Sequence, residues 1–180
     1  LERDLSRQRI HHLAYHDNLT GLPNRSQLMA RAGQALAAAE HAGHGMAVMS
    51  LDIERFKQIN EVMGQGTGDI LLREIAQRIQ SVLGPADTAG RLSGDEFALV
   101  IAQCDADHAR TISQNLLDRL QAPLLTGQTE LRLRAAVGIS LYPDNAKAVA
   151  GLMQQADLAR MQSKLPGATQ ARFYSEAMDH

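Results

Sequence analysis

Apolar residues recur at helical spacing in three stretches: Ile70, Leu71, Ile75, Ile79 and Val82; Ala109, Ile112, Leu116 and Leu120; and Val149, Leu152, Met153, Ala156 and Ala159. Each pattern predicts an amphipathic helix that covers a sheet. A fourth, alanine-rich helix is predicted over about 26–42, started by the turn residues Gly21, Pro23 and Asn24. Short apolar runs at 46–53, 97–102 and 131–141, with a weaker one at 88–92, predict strands, and 172–174 predicts an edge strand. The LSGDE connection is too short for a parallel crossover, so at least one strand pair is antiparallel. The expected class is therefore α/β (α+β), with a sheet that is not purely parallel. A thin stripe of Leu5, Ile10 and Leu13 among charges reads as the end of a helix from an upstream domain, or as a solvated N-terminal helix.

Composition narrows the picture. A chain of 180 residues with 44% hydrophobic residues suits one domain with a substantial core, and neither a repeat nor a low-complexity linker divides it. Eighteen basic residues against 20 acidic ones, a formal net charge of -2, argue against a polyanion-binding surface, so nucleic acid is not an expected partner. The single cysteine, Cys104, excludes an intrachain disulfide. With no signal-peptide pattern and no bilayer-length apolar run, the cytoplasm is the expected location. His11, His12 and Asp17 lack a closed tetrahedral set for zinc, and the seven methionines read as core filling.

The candidate chemistry is acidic. In RLSGDEF, Gly94 permits a sharp reversal, while the successive Asp95 and Glu96 project to different sides; taken alone, this is also the pattern of an ordinary β-turn. Asp52 near the end of the run MAVMSLDI adds a carboxylate that could join it, and hard cations such as Mg²⁺ favour one or two carboxylates plus substrate phosphate oxygens. The stretch FKQINEVMGQGTGD supplies Lys57, Asn60 and a glycine-rich turn of Gly64, Gly66 and Gly68 before a helix, where backbone N–H groups suit phosphate. Asp69 reads either as a cap or first-turn charge of that helix or, with Asn60, as part of a guanine pocket. Adenine would leave both unpaired.

These residues resemble the GGDEF family of diguanylate cyclase domains, which condense two GTP into cyclic di-GMP. The resemblance covers nearly the whole chain: HDNLTGLPNR, LDIERFKQIN, GQGTGD, RLSGDEF, AVGISLYPD, and Ala156–Asp157 followed by Lys164. It implies a palm-like nucleotide-cyclase fold, a mainly antiparallel sheet of about five strands flanked by helices, with the signature on a β-hairpin. It also implies that Asp52, Asp95 and the Ile53 carbonyl bind Mg²⁺ (or Mn²⁺), with Glu96 beside the metal. Asn60 and Asp69 would recognise guanine, Lys57 and Lys164 would face phosphates, and Ser93 and Gly94 would lie against the nucleotide. Asp95, Glu96 and Lys164 are the expected catalytic set. The implied partners are GTP, a second GGDEF protomer in a transient homodimer, an upstream sensor and a downstream EAL phosphodiesterase domain. The implied organisation is a signalling helix over 1–15, the GGDEF domain over 16–175 and a linker from 176.

The chain also departs from the family. Ser93 stands for the first signature glycine, and Glu54, Glu61 and Gln65 replace the usual Asp, Asp and His. Ala168 occupies the position of a phosphate-contacting arginine, a loss of about 1.5 to 3 kcal/mol. Arg160 is read as a solvated arginine, with compensation for that loss as the other reading. The stretch at 84–87 reads GPAD where the family's product-inhibition site carries RxxD, so feedback through that site is not expected. Two functions follow: a Mg²⁺-dependent diguanylate cyclase with reduced turnover, or a GTP-binding regulatory domain that controls an attached phosphodiesterase.

Overall fold

A computed structural model describes Arg7, residues 14–165 and residues 170–179. The N-terminal stripe, His11, His12 and Ala168 lie outside the described residues. The elements, in order, are α1 (Arg25–Ala42), β1 (Met46–Ile53), α2 (Phe56–Met63), α3 (Gln65–Gln80), β2 (Thr88–Ser93) and β3 (Glu96–Ile101). They continue with α4 (Ala106–Gln121), β4 (Leu124–Thr126), β5 (Thr129–Leu131), β6 (Ala135–Tyr142), α5 (Val149–Gln162) and β7 (Ala171–Phe173), then a 3-10 turn.

The sheet runs β2-β3-β1-β6-β7, antiparallel throughout except for the parallel pair β6 and β7 at one edge. Strand β1 lies at its centre, and alternation along it divides the core. Ala47, Met49, Leu51 and Ile53 face Leu71, Ile75 and Ile79 of α3 and Leu116 and Leu120 of α4. Met46 and Val48 face Leu28 and Ala32 of α1 and Leu152 and Ala156 of α5. Continuing that second register puts Ser50 and Asp52 on the α5 face, where a wholly apolar strand would place core residues.

Local chemistry sets the helix ends. The Asn24 side chain accepts from the Gln27 amide at the start of α1, Asp105 accepts from the His108 amide at the start of α4, and left-handed Gly43 ends α1. Three expectations need correction. The run at 131–141 is broken: β5 ends at Leu131 and forms a separate hairpin with β4, and β6 begins at Ala135. Ile70 is not on the buried stripe but 58% exposed, because the face of α3 turns on Leu71, Leu72, Ile75, Ala76 and Ile79. The glycine-rich turn shrinks to Gly64, which has φ +90°, while Gly66, Gly68 and Asp69 already belong to α3.

Candidate functional site

The β1–β3 register builds the site. Asp52 pairs with Glu96, while Ile53 pairs only with Ala135 on β6, so β1 overhangs the hairpin by one residue beside Asp95. The hairpin reverses at Gly94, with φ +37°, and a bulge between Arg91 and Ser93 adds twist. Ser93 closes β2 without a left-handed backbone, so the turn tolerates a side chain there; its exposed hydroxyl donates to Glu96 Oε2 at 3.1 Å. After β1 the chain turns through Arg55, at φ 59°, a strained conformation for a non-glycine residue.

Asp52 is 6% exposed. Its Oδ2 accepts from Arg160 Nη1 at 2.5 Å and from Lys164 Nζ, whereas its buried Oδ1 has no hydrogen-bond partner among the described residues. Arg160 also donates through Nε to Ser50 Oγ at 2.9 Å, and Ser50 donates to Asp157 Oδ1 at 2.5 Å. Arg160 is thus not solvated: its side chain is 12% exposed. Its guanidinium is spent on Asp52 and Ser50, which leaves no support for the idea that it replaces the missing phosphate arginine. Gly138 explains how α5 comes so near, since a Cβ there would lie 2.0 Å from the Ala156 carbonyl oxygen and 2.2 Å from the Arg160 amide nitrogen.

Burial pushes the Asp95 carboxyl above its ordinary value. Its own backbone amide opposes this, the nearby Asp52 and Glu96 charges add to it, and Lys164 pulls back. The two aspartates therefore share one electrostatic environment although 43 positions apart, from 52 to 95. Paired hard oxygens under mutual repulsion suit a divalent cation.

Asn60 lies in the middle of α2, with its buried Oδ1 unpartnered among the described residues. A Cβ on Gly68 would stand 1.6 Å from that oxygen, so the glycine makes room for the Asn60 amide. Asp69, half-buried, follows immediately on α3, and Lys57 is exposed on the first turn of α2.

An ion pair holds the signature hairpin from the N-terminal side. Arg91 Nη1 contacts Asp17 Oδ1 at 3.1 Å and Oδ2 at 3.2 Å, while Arg91 Nε donates to the Gly94 carbonyl at 2.8 Å. Burial alone would raise the Asp17 carboxyl, but donations from the Thr20 hydroxyl and amide and from Arg91 outweigh it and hold it below the usual carboxylate range. The Asp17-x-x-Thr20 spacing is a local turn signal that could have exposed this clamp. At 84–87 the remaining acid is fully used: Asp87 accepts from the Gly84 amide at 2.8 Å and the Ala102 amide at 3.0 Å.

Comparison with known proteins places this arrangement. The family model described as "Diguanylate cyclase, GGDEF domain" matches residues 14–170. The chain is 38% identical over 167 residues to the bifunctional diguanylate cyclase/cyclic di-GMP phosphodiesterase MucR of Pseudomonas aeruginosa, covering 93% of this chain and 24% of MucR. It is 39% identical over 150 residues to the diguanylate cyclase TpbB of the same species, covering 82% of this chain and 34% of TpbB. The solved GGDEF domain of TpbB superposes with a TM-score of 0.86 at 35% identity, covering 92% of this chain and 97% of that one. The chain thus spans about a quarter to a third of these curated relatives.

Proposed function

Because this chain belongs to the GGDEF family of diguanylate cyclase domains, we propose that it condenses two GTP into cyclic di-GMP, one GTP held by each protomer of a transient homodimer. The observation that carries this reading is the convergence of Asp52 and Asp95, with Lys164 beside them, at one corner of the sheet. Phosphoryl transfer needs mainly positioning and charge neutralisation, and this corner offers both.

The residues fit Mg²⁺ (or Mn²⁺). Asp52 Oδ1 is a buried carboxylate oxygen with no protein donor among the described residues, the Asp95 carboxyl is raised by burial and by its acidic neighbours, and the overhanging Ile53 supplies a backbone carbonyl. Asp52, Asp95 and Ile53 are the proposed ligands. A bound ion would neutralise triphosphate charge as pyrophosphate leaves.

In this reading Asn60 and Asp69 select guanine through donor and acceptor pairing, and Lys57 and Lys164 balance phosphate charge. Ser93 and Gly94 form the backbone edge along the nucleotide. Glu96, tied to Ser93, stands next to the ligand Asp95. Gly68→Ala should test the guanine role: the new methyl displaces the Asn60 amide, so GTP affinity should fall by about tenfold, the worth of one good hydrogen bond. Thermal stability should hold, because alanine suits a helix better than glycine. Calorimetric titration with a non-hydrolysable GTP analogue, alongside thermal unfolding, reads both.

A second reading, a GTP-binding regulatory domain with little turnover, is favoured by one observation: Arg160 and Lys164 are both engaged by Asp52. In the full-length protein the domain would work with an upstream sensor, through a signalling helix over 1–15, and with a downstream EAL domain, through a linker from 176.

The deciding experiment incubates concentrated protein with GTP and Mg²⁺ and measures cyclic di-GMP and pyrophosphate. One cyclic di-GMP and two pyrophosphates for each pair of GTP consumed support the cyclase. GTP binding at micromolar levels without product leaves the regulatory reading, and absence of GTP binding overturns both.

A further inference from the structure

The carboxylate proposed to hold the metal is already neutralised from within. Asp52 and Asp157 carry two negative charges, Arg160 and Lys164 two positive ones, and hydrogen bonds, with Ser50 bridging Arg160 and Asp157, join all four groups into one network. Lys164 is accounted for by phosphate contact in the reading above, on which this inference rests. Arg160 is not.

Arg160 is built into its place. Gly138 admits α5 to van der Waals contact with the sheet, and Ser50, itself 3% exposed, fixes the guanidinium through Nε. Nη1 reaches Asp52 Oδ2 at 2.5 Å, and Nη2 lies 3.8 Å from Asp157 Oδ1. An arginine held by three groups in a mostly buried position does not swing aside as an exposed lysine can. A divalent cation arriving at Asp52 Oδ1 therefore binds a carboxylate whose other oxygen is committed to a fixed cation. The repulsion between that ion and the guanidinium works against binding.

We propose that Arg160 is an internal counter-cation that sets the metal affinity of this domain: it occupies Asp52 when no metal is bound and raises the divalent-cation concentration at which the site fills. A fixed positive charge on the opposite side of one carboxylate from a divalent ion, screened as near water, would weaken binding by about tenfold.

The test titrates Mn²⁺ into the nucleotide-free protein, read by the loss of the free-ion electron paramagnetic resonance signal, for the wild type, Arg160→Met and Ser50→Ala. Arg160→Met should bind Mn²⁺ about tenfold more tightly. Ser50→Ala keeps the charge but frees the guanidinium, and should give a smaller gain in the same direction. Circular dichroism and thermal unfolding identify any variant that has lost its fold, in which case Ser50→Ala carries the test. Unchanged or weaker Mn²⁺ binding in the folded variants overturns the proposal and makes Arg160 a support for Asp52. Calorimetry of GTP with the wild type separates the two failures: lost GTP binding strikes the proposed function, whereas intact GTP binding with unaltered Mn²⁺ affinity strikes only the role of Arg160.

Discussion

Replacing Asp95 with asparagine should abolish cyclic di-GMP formation, by about 10³-fold or more, without harming the metal-free fold. Asparagine keeps the size and the turn but removes one hard anionic ligand. Stability should move the other way. Burial and the charges of Asp52 and Glu96 hold the Asp95 carboxyl above its ordinary value, so the folded state disfavours the ionised form. That penalty is present above the raised folded value and disappears as pH falls to the unfolded one. Asp95→Asn should therefore unfold at an equal or slightly higher temperature than the wild type at neutral pH, and the difference should vanish in acid. The same shift makes metal binding acid-sensitive: Mn²⁺ affinity in the wild type should begin to fall at a higher pH than an ordinary aspartate would impose. A product assay, thermal unfolding across pH and an Mn²⁺ titration at several pH values together read this pattern. An asparagine variant that still makes product at the wild-type rate would remove Asp95 from the site.

Replacing Gly138 with alanine should produce the largest loss of stability available from one methyl group in this chain. The new Cβ would stand 2.0 Å from the Ala156 carbonyl oxygen, 2.2 Å from the Arg160 amide nitrogen and 2.8 Å from the Arg160 Cα. All three are backbone atoms of α5, so no side-chain rotation relieves the clash and the helix must lift from β6. Overpacking commonly costs about 1 to 3 kcal/mol, and with backbone on both sides about 3 kcal/mol is expected. For a domain of this size that lowers the unfolding midpoint by about 10 °C. Because α5 carries Arg160 and runs directly into the turn that holds Lys164, the same displacement pulls both cations from Asp52. Gly33→Ala supplies the contrast: it lies exposed inside α1 with no atom within 4 Å of its added Cβ, and should gain about 0.5 to 1 kcal/mol. Thermal or denaturant unfolding of the two variants should give shifts of opposite sign.

The two glycines look alike along the chain, and their difference marks where linear reading stops. Helical spacing at Ile75 and Ile79, Ile112, Leu116 and Leu120, and Leu152 and Ala156 placed three helices, since a period of 3.6 must put those residues on one face. The short SGDE connection required a hairpin, and acidic residues near the ends of β1 and β3 marked a candidate site. The boundary errors have local causes. Gly66 and Gly68 suggest a loop by propensity, yet α3 absorbs them, and the Asn60 amide fills the space a Cβ on Gly68 would take. The apolar run ending at Leu141 hides a break after Leu131, because hydrophobicity does not report which strand a residue pairs with.

What the sequence determined by itself is the periodic and the motif-borne: the alternation of helices and strands, an antiparallel pair at the signature, and the family through its ordered motifs. Tertiary structure alone decided that Ser50 and Asp52 share a face with α5, that Gly138 lets that helix approach, and that Arg160 leaves solvent to neutralise Asp52. The role of Arg160 is invisible along the chain because its partners, Ser50 and Asp52, stand more than 100 positions away. Spacing along one helix reports a face, whereas the charge a side chain meets there depends on the strand that packing brings beneath it.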